Sequence, residues 1–111
     1  MADNNVIYAI TDGTAIKIGK SGFDLRHSNR LSAMQTGNPR QLFHIASSPS
    51  RTEALAHAGL HKSRINRREW FYITGEVIAE IESWEWVHRA WLERLKMTVL
   101  TDPKGLLVFY P

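Results

Sequence analysis

Val6-Ile7-Tyr8-Ala9-Ile10 and Ala15-Ile16-Lys17-Ile18-Gly19-Lys20, separated by Thr11-Asp12-Gly13-Thr14, decide how this chain begins to fold. The first run is rich in β-branched and aromatic residues, which suit a pleated, half-buried surface. The second alternates apolar with polar, the period of a strand with one buried face. Asp12-Gly13 between them is a strong turn signal, because glycine adopts positive φ without a Cβ penalty. The two runs are read as a β-hairpin.

Working outward, Ser21-Gly22-Phe23-Asp24 is a loop. A helix is expected over Leu25 to Met34, stopped by Thr36-Gly37-Asn38-Pro39. Gln41 to Ala46 is expected to be a third strand. Ser50 followed three residues later by Glu53 has the form of a capping box and predicts a helix running to about Ser63. Glu69 to Ile73 looks extended. Thr74 is placed to cap a long helix from Glu76 to Met97. There Val77, Ile81, Trp84, His88, Trp91 and Leu95 recur at alternating four and three spacing and give one apolar face. Asp102 to Gly105 is a turn, and Gly105 to Tyr110 a candidate last strand. The order predicts an α+β domain with a small, mainly antiparallel sheet flanked by helices and an additional C-terminal helix.

The chain has 111 residues, 43% of them apolar and 23% charged. That is one domain with one modest core, not a disordered chain. Residues 1–75 are expected to form the main part, with the Trp-rich segment 76–111 belonging to the same domain. Cysteine is absent, which excludes disulfides, thiolate catalysis and cysteine zinc sites. The sequence shows no secretory signal and no apolar run of membrane-spanning length, so a cytoplasmic location, bacterial or in a phage-infected cell, is expected. Charge is uneven. Residues 1–75 hold ten Lys/Arg against five Asp/Glu, a net of +5, whereas residues 76–111 hold four against six, a net of −2. The basic part would attract a polyanion such as a nucleic acid, and the alternative reading is a solvated surface that happens to be basic.

The ordered set Lys17-Ile18-Gly19-Lys20-Ser21, Arg30-Leu31, Gln35-Thr36-Gly37-Asn38-Pro39, Glu53 with His57, Arg64, and Glu69-Trp70-Phe71 resembles one branch of the GIY-YIG nuclease superfamily. That branch is the phage-type or meiotically up-regulated domains of phage and mobile-element genomes. The resemblance covers about residues 6–73, with Val6-Ile7-Tyr8 and Lys17-Ile18-Gly19 in the places of the two name-giving triplets. It implies a phosphodiesterase acting on DNA with one divalent ion, Mg²⁺ or Mn²⁺, weakly held without DNA. Lys17 departs from the superfamily pattern, which usually has tyrosine there.

By this resemblance Tyr8 prepares water and Lys17 assists it or contacts phosphate. Arg30 stabilises phosphate charge, with Arg26 one turn earlier as its rival, and Glu53 binds the metal. His57 is a candidate proton donor or phosphate contact. Lys20, Arg26, Arg64, Arg67 and Arg68 are candidate DNA contacts, with Gly19, Ser21 and Asn66 as weaker members of the site. Bland readings stand beside these: a core tyrosine for Tyr8, an outward lysine for Lys17, a capping box for Glu53, solvated charge for the arginines. Glu53, His57 and His61 also fall on one helix stripe, the pattern of a zinc site. The rival functions are a binding module of this fold without turnover and a phage accessory protein acting through its Trp-rich helix. A homodimer through that helix is a further expectation.

Overall fold

The computed structural model describes residues 6–22, 25–27, 30–65 and 69–101. Its centre is the expected hairpin: β1 (Val6–Thr11) pairs antiparallel with β2 (Ala15–Ser21), in a register that sets Ile7 opposite Lys20, Tyr8 opposite Gly19 and Ile10 opposite Lys17. The turn is held by its own side chains. Asp12 Oδ1 accepts from the Thr14 and Ala15 amides at 2.8 and 3.1 Å, and Gly13 takes φ 93°. This is the local bonding that makes Asp-Gly a turn signal.

A 3₁₀ turn (Leu25–His27) and α1 (Arg30–Thr36) stand where one helix from Leu25 to Met34 was expected. The Gln35 side chain then governs the path to the third strand. Its amide donates to Arg40 O at 2.8 Å and its carbonyl accepts from Leu42 N at 2.6 Å. With residues up to Leu42 engaged this way, β3 is Phe43–Ser48, two residues later than expected. Next come α2 (Glu53–Gly59), a 3₁₀ turn (His61–Ser63) and β4 (Trp70–Tyr72). Thr74 caps α3 (Gly75–Glu82) by accepting from Val77 N, as its position predicts.

The single long helix expected over Glu76 to Met97 is broken. After α3 the chain makes β5 (Trp86–Val87) and only then α4 (Arg89–Thr101). Ser83 N and Trp84 N close onto Glu80 O and Ile81 O in tight i→i+3 bonds, the usual end of a helix. Val87 and Trp86 then pair with Ala46 and Ser47, and His88 N donates to Ile45 O at 2.8 Å. Pairing with a free sheet edge has overridden a helical period that Trp and Val support only weakly. The candidate strand after Asp102 lies outside the described residues.

The sheet has the order β4-β2-β1-β3-β5, and every neighbouring pair is antiparallel. Alternation along the strands gives it two faces. One packs Ile7, Ile16, Ile18 and Phe71 against Ala56 and Leu60 of α2, Val77 and Ile81 of α3, and Leu92 and Leu95 of α4. The other packs Tyr8 and Ile10 with Leu25, Leu42 and, from α1, Leu31 and Met34. Strand register therefore decides which side of the molecule each site candidate faces.

Candidate functional site

Glu53 is the first residue of α2. The helix is capped by Thr52, whose hydroxyl accepts from Leu55 N at 3.4 Å, and not by Ser50. The expected capping box is thus absent, for a positional reason: Glu53 follows the cap directly and stands two residues too early to reach back to it. Its carboxylate is free for other work. Glu53 Oε2 is buried and has no hydrogen-bond partner among the described residues. An orphaned buried carboxylate oxygen is costly, so it marks a place where a cation or donor from outside would be stabilised.

That carboxylate lines a cleft of about 390 Å³. Its sheet wall is Ile7 and Lys20, which are register partners and so share a face. Its other wall is the segment from Pro49 to Ala54, with Ser50, Arg51 and Thr52. Lys20 is exposed. His57, one turn after Glu53, fixes α2 to the sheet: its Nε2 donates to Ile18 O at 2.9 Å, and its ring meets Phe71 edge-on at 5.1 Å. The carbonyl can only accept, so Nε2 carries the proton. His57 therefore bonds to the sheet backbone two residues before Lys20.

Tyr8 and Lys17 come together on the other face. The Tyr8 hydroxyl and Lys17 Nζ both approach Met34 Sδ, at 3.5 and 3.7 Å, and Lys17 also pairs with Glu69 at 3.7 Å. Tyr8 is only 1% exposed. The sheet stands between this pair and Glu53. The β2–β4 ladder covers Ala15, Ile16 and Lys17, and the Ile18 amide adds one bond to Glu69 O at 2.9 Å; among the described residues no such pairing continues beyond Ile18. At the Gly19–Ser21 end of β2, Gly19 is the register partner of Tyr8 and Lys20 lines the cleft with Glu53, so this end of the strand borders both groups.

The remaining candidates disperse. Arg26 stacks over Trp86 at 4.8 Å, at the far side of the sheet. Arg30 opens α1, the helix that covers Tyr8. Ser21 is buried at the end of β2, and the Arg64 backbone bridges to Phe71. Asn66, Arg67 and Arg68 lie outside the described residues. The zinc stripe does not form. Helix α2 ends at Gly59, so His61 leaves the stripe and turns its Nδ1 to Ala58 O, while His57 faces Ile18. Among the described residues no three His, Asp or Glu side chains gather to hold a metal.

The sequence reading missed the groups that shape the cleft wall. Ser48 Oγ accepts from the Ser50 and Arg51 amides at 3.3 and 3.1 Å, and donates to Glu85 Oε1 at 2.6 Å. Ser50 Oγ donates to the other oxygen of Glu85 at 2.5 Å. These hydroxyls, Ser48 first, hold the Glu85 carboxyl below the usual carboxylate range. Arg51 donates to Ser83 Oγ at 3.0 Å and stands 3.8 Å from Glu80. Arg51 had one visible signal, its place two residues before Glu53. Glu85 had none once its segment was read as helix.

Residues 5–94 match the model of the T5orf172 domain. The chain belongs to the T5orf172 domain family. This family is associated with nuclease-type domains. No curated protein and no solved structure matches the chain. The T5orf172 match runs past Phe71 through α3 and β5, so Glu80, Ser83 and Glu85 fall inside it.

Proposed function

We propose that this T5orf172 domain is a GIY-YIG-type, metal-dependent DNA endonuclease that hydrolyses phosphodiester bonds. The observation that carries the reading is the buried, unpartnered Glu53 oxygen in a cleft shared with Lys20 and Arg51. A lone carboxylate oxygen fits a hard divalent cation such as Mg²⁺ or Mn²⁺. With one protein carboxylate only, water and substrate phosphate must supply the other ligands, so binding without DNA is weak. When bound, the ion lowers the pKa of water and polarises a phosphate oxygen.

The chain's own residues supply the rest. The Lys20 ammonium offers donors to a phosphate in the cleft, and Arg51, whose guanidinium is held by Ser83 and Glu80, adds positive charge to the cleft wall. Arg30, by resemblance, stabilises charge on the phosphate from α1. Tyr8 holds the hydroxyl that takes part in preparing water, with the Lys17 cation beside it. A phosphate at the Gly19–Ser21 end of β2 is the position from which groups on both faces are within reach. The Tyr8 hydroxyl joins in only when Met34 moves off it.

One observation favours the second reading, a DNA-binding module without turnover: the Tyr8 hydroxyl is shut in a small apolar cluster, away from Glu53. Nicking of supercoiled plasmid with Mg²⁺ by the wild type and by Glu53→Gln tests the enzyme reading. Loss of nicking in the variant supports it, and a wild type that binds DNA without cutting favours the module.

A further inference from the structure

The α3–β5 segment makes two grips on the strand-to-helix connection that carries Glu53. The first is Glu85, whose two carboxylate oxygens take the hydroxyls of Ser48 and Ser50. Ser48 is fully buried, and its oxygen also collects the Ser50 and Arg51 amides, so the carboxylate, two hydroxyls and two backbone donors form one closed network. The second grip is Ser83 and Glu80 on the Arg51 guanidinium. Glu80 is itself anchored, accepting from Trp84 Nε1 at 2.8 Å, and Trp84 is buried. The connection has just four residues between Ser48 and Glu53, so with Ser48, Ser50 and Arg51 fixed only Thr52 separates the gripped stretch from Glu53.

We propose that Glu85 is a positioning residue, which holds the Ser48–Arg51 connection so that Glu53 and Lys20 keep a common cleft. This rests on the reading of Glu53 as the metal-binding group. It also gives the acidic C-terminal part a role in the site: a charged hydrogen bond to each serine is stronger than a neutral one, and the bidentate carboxylate fixes their spacing. Groups that act by orienting others must hold them to within a fraction of an ångström, and a loose connection would forfeit that.

The test compares full-length wild type, Glu85→Ala, Ser50→Ala and Glu82→Gln. Glu82 bonds Lys96 between α3 and α4 and does not touch the connection, so its variant controls for a general loss of stability. Two quantities are read: hydrogen exchange of the amides of residues 50–54, and Mg²⁺-dependent plasmid nicking at saturating DNA. The expected result for Glu85→Ala is exchange faster by about tenfold or more over those amides, with the rest of the sheet unchanged. Nicking should fall in kcat and require more Mg²⁺ for half-maximal rate, while Glu82→Gln does neither. Ser50→Ala removes one arm of the grip and should give a smaller change of the same kind; it decides the matter if Glu85→Ala does not fold. Unchanged exchange in both variants would overturn the proposal. So would faster exchange with unaltered nicking and Mg²⁺ dependence. A wild type that never cuts DNA defeats the nuclease reading and with it the catalytic half of the proposal, whereas the exchange data still decide whether Glu85 holds the connection.

Discussion

The phenol ring of Tyr8 lies against the backbone of Gly19 across the β1–β2 ladder, so closely that a Cβ on Gly19 would stand 2.5 Å from the Tyr8 hydroxyl and 2.7 Å from the ring carbon that bears it. The glycine is there for space, not for an unusual backbone angle. Gly19→Ala should therefore destabilise the fold by about 1–3 kcal/mol, as overpacking does. Because the clash involves the ring as well as the oxygen, Tyr8→Phe should not rescue it and Tyr8→Leu should do so in part. A double-mutant cycle by urea denaturation measures this. Additive losses would show that the two residues are not in contact.

Glu85 predicts a pH dependence of stability. Its carboxyl is lowered in the folded state, chiefly by the Ser48 hydroxyl and next by that of Ser50. A depressed folded value means that the contribution is fully present above the unfolded value of about 4.3 and is lost as pH falls through the folded one. Wild type should thus be more stable than Glu85→Gln at neutral pH, with the gap closing below about pH 4. Thermal midpoints of both proteins between pH 3 and pH 7 check this, and a gap constant across that range would show that the serines do not favour the ionised form.

A chain ending at Gly75 should not fold cooperatively. It loses Val77, Ile81, Leu92 and Leu95, none more than 1% exposed. At roughly 1.5–3 kcal/mol each, their burial amounts to about 6–12 kcal/mol. That is comparable with the whole stability of a small domain, about 5–15 kcal/mol. Circular dichroism on heating should show no sigmoidal transition. A cooperative, soluble truncation would mean that the sheet and α2 form a core without α3 and α4.

The hairpin, its turn and the cap at Thr74 were legible because their signals are local: alternation, Asp-Gly, and a hydroxyl just before an apolar period. Three features were not. The helix break at Ser83 comes from pairing of Trp86 and Val87 with a strand some forty residues earlier, and no local period records that. The choice of Thr52 over Ser50 as the cap depends on Glu85, which draws the Ser50 hydroxyl away. The separation of Tyr8 and Glu53 by the sheet follows from strand parity, since Tyr8 and Ile7 must face opposite ways and Ile7 lines the Glu53 cleft. The motif showed which residues belong together in order; the faces they occupy required the register.

Lys20 should contribute to DNA affinity through charge alone. Lys20→Gln should weaken binding for all sequences alike and reduce the slope of log affinity against log salt by about 1, as expected for one lost phosphate contact. Fluorescence anisotropy with a labelled duplex across a salt series gives both values. An unchanged slope would place the bound backbone away from this cleft.

The measurement that bears most directly on the account is Mg²⁺-dependent nicking of supercoiled plasmid by wild type and Glu53→Gln, made alongside their thermal midpoints and DNA affinities. The substitution keeps the shape of the side chain and removes its charge at the first turn of α2. Stability should change by no more than about 1 kcal/mol. DNA should bind as well or better, since a negative charge beside phosphate is gone. Nicking should fall by about 10²-fold or more, because a Lewis acid held at the phosphate is worth several kcal/mol of barrier. A folded Glu53→Gln protein that nicks at the wild-type rate would contradict the assignment of Glu53 as the metal-binding group.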